Sequence, residues 1–200
     1  MRVDIKFDPG ELRAIRRALS SGIGRKSLRR AGSTALRDGA VESNRRIRRR
    51  KKLKVRIVRR ALTLRRPGRT GPRMEWAIDV RGTPVKLQEY APRKRMIRTG
   101  RGKRRGVSVE VNVGKRTIPK GAFTATLRSG HTGVFRRLGR SRLPIRELLG
   151  SRPADALLHH GEAEGVQARM QSSFVKTFRR NFDAELAKAG AKPSGGHRHH

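Results

Sequence analysis

The sequence predicts an α+β fold: basic helices in the N-terminal part, a central antiparallel β-sheet or partial barrel, and a C-terminal helix packed on the sheet. Two observations carry that prediction. Apolar residues recur at helical spacing as far as Pro67-Gly68, alternate with a period of two between Trp76 and Leu127, and recur every four residues from Val166 onward. The apolar set makes up 34% of the 200 residues, and 22 glycines bring the total close to the ~45–50% of ordinary globular domains. A chain with a formal charge of +37 could be disordered. This one has enough apolar residues for a core, and with one Trp, one Tyr and six Phe that core is aliphatic.

Asp8-Pro9 is a helix-start pair, the proline lying where its missing N–H costs nothing, and Leu12, Ile15 and Leu19 follow at helical spacing. A short helix over 8–20 is expected, stopped near Gly22-Ile23-Gly24. From Arg25 a second helical pattern runs to about Leu62. Leu28, Ala31, Ala35, Gly39 and Ala40 lie on one side of it, with Arg29, Arg30, Arg37, Arg45 and Arg46 elsewhere. Small residues at 31, 35 and 39 let another backbone approach, and Gly39 is a weak point, since glycine costs ~1 kcal/mol against alanine inside a helix. The densest basic tract spans 45–66. It begins with Arg45, Arg46, Arg48, Arg49, Arg50, Lys51 and Lys52, and continues with Val55, Val58 and Leu62 at helical spacing. Such a tract reads as a binder of phosphate or of an acidic surface, the plain alternative being a solvated helix face.

After Pro67-Gly68 the strands begin. Trp76, Ile78 and Val80 alternate with Ala77, Asp79 and Arg81; Val85 and Leu87 follow Pro84; Val107, Val109, Val111 and Val113 alternate with Ser108, Glu110 and Asn112. Gly114-Lys115 suits a tight reversal, and Phe123, Ala125 and Leu127 supply a further strand. Residues 92–106 are rich in glycine and charge and are expected as a mobile basic loop. Its Arg93, Lys94, Arg95, Arg101, Lys103, Arg104 and Arg105 join the 45–52 tract as candidates for contact with DNA or an acidic partner. Val166, Met170, Phe174, Phe178, Phe182 and Leu186 form a stripe that winds around an ideal helix by ~40° per step. It fits a helix lying across a sheet or one gripped by two partners, with core packing in its own domain preferred. The division expected is a helical region 1–66, a β region 67–150 containing the loop 92–106, a C-terminal helix 151–190 and a disordered tail 191–200, all in one structural domain.

Chemistry is mostly absent. Zero cysteines exclude disulfides, thiolate metal sites and cysteine nucleophiles. No apolar run suggests a secretory signal or a membrane span, so the chain is expected to be soluble and intracellular when made. His159-His160 with Glu162 and Glu164 resembles a ligand group, but adjacent histidines point ~100° apart on a helix, so surface placement is expected. His131 has no partner nearby in sequence to orient it as a base. No phosphate loop with Lys-Ser/Thr and no carboxylate cluster for paired magnesium ions occurs. No catalytic, metal or cofactor residue is assigned. The charge itself calls for a polyanion or an acidic protein partner. No zinc finger, RNA-recognition signature or clear helix-turn-helix accompanies it, so any contact with nucleic acid is non-specific.

One segment is too particular for composition. Gly121-Ala122-Phe123-Thr124-Ala125-Thr126-Leu127 leads through Gly130-His131-Thr132-Gly133-Val134-Phe135-Arg136-Arg137 to Arg142-Leu143-Pro144-Ile145. It resembles the signature of the prophage minor tail protein Z family of long-tailed bacteriophages. The order of the remaining segments over about 10–185 is similar, although Gly150-Ser151-Arg152-Pro153 departs from the family's Gly-Pro-Ser form. The physics agrees: Phe123 and Leu127 can bury on one sheet face, Gly130 and Gly133 permit a tight turn, and Pro144 suits a strand end. The resemblance implies a non-enzymatic structural virion protein, a tail-completion component in the neck that joins head to tail. By analogy with neck components it implies a homo-oligomeric ring, a hexamer, made in the bacterial host cytoplasm. The implied partners are the tail terminator or tail tube, head connector proteins, the tape measure and packaged DNA bound non-specifically, with no membrane. The rival reading is a non-specific nucleic-acid-binding protein of ribosomal or chromatin type.

Overall fold

The computed structural model describes residues 1–4, 22–67, 75–99 and 102–190. The short helix expected over 8–20, Arg101 and the tail 191–200 lie outside the described residues. Within them the fold is α+β. Helices α1 (Gly22–Arg50), α2 (Val55–Ala61) and α3 (Glu162–Gly190) accompany nine short strands. These form three small sheets, with no closed barrel among the described residues. The first has the order β1 (Arg2–Asp4), β3 (Ala77–Val80), β2 (Leu62–Arg65). The second runs β4 (Arg93–Thr99), β5 (Gly102–Asn112), β6 (Lys115–Thr117), and the third β7 (Ala122–Thr126), β8 (Thr132–Arg137), β9 (Ile145–Glu147). The second and third are antiparallel throughout. No described helix is long and apolar enough to cross a membrane.

The chain gathers into two compact units, neither of them a continuous stretch of sequence: Met1 with Ser43–Thr63 and Asp79–Ala163, and Arg2–Glu42 with Leu64–Ile78 and Glu164–His200. In the second unit the C-terminal stripe is core. Val166, Met170 and Phe174 are fully buried and Phe178 nearly so, and Leu28, Ala31, Ala35, Leu36, Trp76 and Ile78 of the same unit are buried as well. The rings of Phe174, Phe178 and Phe182 stack in succession along α3, and Phe174 also meets Trp76. Helix α1 runs through Gly39 without a break. What approaches its small residues is side chain and not backbone. A Cβ on Gly39 would collide with Met170 and lie 2.9 Å from Ile78 Cδ1, and one on Gly32 would collide with the Trp76 indole. These glycines give up helix propensity so that large side chains can seat on the helix. Asp38 ties the same helices together, accepting a 2.6 Å hydrogen bond from Ser173.

In the first unit the core is aliphatic as expected: Ile47, Leu53, Val58, Val80, Leu87, Val107, Val109, Val134 and Leu157, with Tyr90 and Phe135. The helix expected to run to Leu62 stops at Arg50, because the chain there turns to pair with the end of β5. Val113 N–H donates to Arg50 O, Lys52 N–H donates to Val111 O, and Lys51 forms a bridge with Asn112. The strand expected at Val85 and Leu87 is a single bridge, Lys86 to Leu149, followed by a 3₁₀ turn over Leu87–Tyr90. The loop expected over 92–106 is a hairpin: β4 pairs with β5 from Arg93 opposite Ser108 to Thr99 opposite Gly102. Gly114, with φ of 78°, makes the reversal into β6 that its residue type suggested.

Candidate functional site

Three groups of residues bear on function, all in the first unit. The first is the basic tract at the end of α1. Arg46, Arg49 and Arg50, within one turn of helix, converge on Glu162, the first residue of α3. Their distances to its carboxylate are 2.9, 3.2 and 2.8 Å. The Glu162 side chain is only 5% exposed. Burial would push its carboxyl upward, but the hydrogen bonds from Arg50, Arg46 and Arg49 and the Arg49 charge outweigh that and hold it at about 2. The helix N-terminus also favours a negative charge there. Lys51, nearly buried, donates to Asn112 Oδ1 at 2.8 Å, Arg48 donates to Leu53 O, and Lys52 lies 3.9 Å from Glu110. Much of a tract that reads as a docking surface thus serves to hold the unit's own segments. His159 and His160 are exposed beside it, as expected. Among the described residues no group of His, Cys, Asp or Glu could hold a metal ion.

The second group is the β4–β5 hairpin. Arg93, Lys94, Arg95, Met96 and Lys103 are exposed, and among the described residues Lys94 and Arg95 form no ion pair. A cleft of about 380 Å³ opens here, lined by Lys94, Arg95 and Met96 of β4, Gly106 and Val107 of β5, and Phe123 and Thr124 of β7. Its lining combines the cationic Lys94 and Arg95 with the apolar Met96, Val107 and Phe123.

The third is the sheet β7–β8–β9, which with its connecting segments carries the signature residues. Gly121 and Gly130 have φ of 71° and 78°, a region that disfavours any other residue. Gly133 is buried with the Phe135 ring 3.0 Å from where a Cβ would stand. The buried residues are Ala122, Val134 and Phe135; Phe123 is half-buried and Leu127 exposed, contrary to the expectation that these two bury together. Phe123 pairs across the strands with Phe135, and the Arg137 guanidinium lies 5.5 Å over its ring. Leu143-Pro144 is a cis bond at the tip between β8 and β9, where Leu138, Arg142 and Leu143 are exposed, and Ile145 begins β9. His131, which has no partner close in sequence, gains one by folding: its Nε2 lies 2.9 Å from Glu147 Oε1. Lys86 Nζ is 3.2 Å from the other carboxylate oxygen. Burial raises the Glu147 carboxyl, and the hydrogen bonds from His131 and Lys86 more than reverse it, leaving the group below its ordinary value.

Sequence reasoning missed Glu162 and Glu147 as organising residues. The available signal was scarcity: with 15 acidic residues against 52 basic ones, each carboxylate is in demand as a shared counter-ion.

The family model described as Prophage minor tail protein Z (GPZ) matches residues 26–189. No curated protein and no solved structure matches the chain. The chain belongs to the prophage minor tail protein Z family, and its role is that of a structural component of the phage tail.

Proposed function

We propose that this family member is a non-enzymatic tail-completion subunit at the head-proximal end of the tail, forming a homo-oligomeric ring of six copies in the neck. It joins the tail terminator or tail tube to the head connector, and meets the end of the packaged DNA non-specifically. The observation that carries this reading is the distribution of charge. The carboxylates of Glu110, Glu147 and Glu162 are engaged by basic residues of their own unit. Arg93, Lys94, Arg95 and Lys103 of the hairpin and Arg136, Arg137, Arg140 and Arg142 stand at the surface. Six copies at +37 each repel one another unless acidic neighbours or DNA surround them. Such a ring is stable in place, between acidic protein surfaces and the genome end.

The test is a deletion complemented in trans by a chain carrying an electron-dense label, with the particles imaged. The expected result is a label at the head–tail junction, and heads and tails left unjoined without the chain. A label along the tube or at the distal tip would overturn the neck assignment.

A further inference from the structure

We infer that the cleft between the β4–β5 hairpin and β7 is a docking site for an extended acidic segment of a partner protein. That segment adds alongside the β4 edge and seats an apolar side chain on Val107 and Phe123. Among the described residues β4 pairs with β5 alone, over seven residues, and so stands at one end of its sheet, where another strand can add. The residues that line the cleft beside that edge divide by chemistry. Lys94 and Arg95 have no carboxylate of their own among the described residues, whereas Met96, Val107 and Phe123 offer apolar surface. Met96 is 61% exposed and so accessible to a side chain that enters the cleft.

Two other occupants fit less well. A second copy of this chain would bring its own Arg93, Lys94 and Arg95 against the same charges, a like-charge arrangement that works against self-pairing. A nucleic acid has no backbone amides to pair with a strand edge. An acidic strand answers all three features at once: it pairs with the edge, neutralises Lys94 and Arg95, and covers the apolar lining. The volume of about 380 Å³ accommodates such an anchor.

The inference takes from the tail-assembly reading only that the partner is a protein. The probe is a fluorescent nonapeptide alternating glutamate with valine around a central phenylalanine, titrated against the full chain by anisotropy at moderate salt. Two companion peptides carry lysine in place of glutamate, or N-methyl groups on alternate residues. The expected result is binding of the parent peptide, with no binding of the lysine form. About tenfold weaker binding is expected after N-methylation, and a similar loss in Lys94→Glu with Arg95→Glu. The inference is overturned by equal affinity for the N-methylated peptide, by an unchanged affinity in the double variant, or by absence of binding to the parent peptide. It is also overturned if a short DNA duplex binds and the same double variant abolishes that binding. The companion peptides leave the protein untouched, so the test does not depend on how a variant folds. Particle labelling needs no peptide and the titration needs no particle, so either proposal can fail while the other stands.

Discussion

Replacing Glu162 by Gln removes one charge and leaves three guanidiniums facing one another around a neutral amide. A carboxyl held at about 2 instead of 4.5 corresponds at full strength to about 3 kcal/mol of folding free energy. The cover over Glu162 is the arginine side chains themselves and not a deep core. Arg49 is 61% exposed and Arg50 40%, so water screens the interaction and about 1–2 kcal/mol is the realistic share. Repulsion among the stranded arginines raises the total cost of Glu162→Gln to about 2 kcal/mol, below the ~3–5 kcal/mol of a broken pair in a dry interior. For a chain of this length that lowers the melting temperature by roughly 4–8 °C at neutral pH. The pH dependence is the sharper readout. Because the folded pKa is depressed, this stabilisation is complete above about 4.5 and is lost as pH falls through about 2. Melting scans between pH 6 and 2 should show wild-type stability falling toward that of Glu162→Gln over this interval, while exposed Glu164→Gln stays within about 0.5 kcal/mol of wild type throughout. Parallel curves for wild type and Glu162→Gln would refute the three-arginine account of this carboxylate.

Four further outcomes follow from the geometry. Gly39→Ala should lose about 1–3 kcal/mol by thermal denaturation, despite alanine's better helix propensity, because its Cβ meets Met170 and Ile78; a gain would refute the close packing. Phe123→Asp should cost about 2 kcal/mol and leave the far-ultraviolet spectrum folded, since the ring is half-buried; complete unfolding would show it to be core. His131→Ala should return the Glu147 carboxyl toward its ordinary value in a carbon-13 titration, so that its stabilisation is lost at higher pH, without harm to particle assembly. Neutralising Lys94 and Arg95 should leave the salt slope of duplex affinity unchanged; a slope flattened by ~0.9 per residue would assign them to phosphate.

The fold class and the order of helix, strand and helix were legible because the apolar period depends on which face of each element is buried. The stripe from Val166 to Phe178 is core for that reason. The β4–β5 hairpin was not legible: arginines and lysines crowd the sequence over 93–105, and with Arg93, Lys94, Arg95 and Met96 exposed in succession there is no alternation to read. The alternation at Phe123 and Leu127 was present but misled, because the cross-strand neighbours Val134 and Phe135 decide which residues are covered. Similarly, nothing local ends α1 at Arg50, where every residue is a sound helix former. The helix stops because residues 111–113 take up the next backbone groups.

By itself the sequence determined the surplus of cations, the aliphatic core, the absence of cysteine chemistry and the signature over 121–145 that marks the family. All of these are properties of residue type and short spacing. Tertiary structure decided which cations are spent internally and which remain for a partner. Arg46, Arg49 and Arg50 meet Glu162 across more than 110 residues of chain, and Lys86 and His131 meet at Glu147. Coulomb attraction falls off with distance in space and is blind to distance along the chain, so only folding could separate these engaged charges from Lys94 and Arg95.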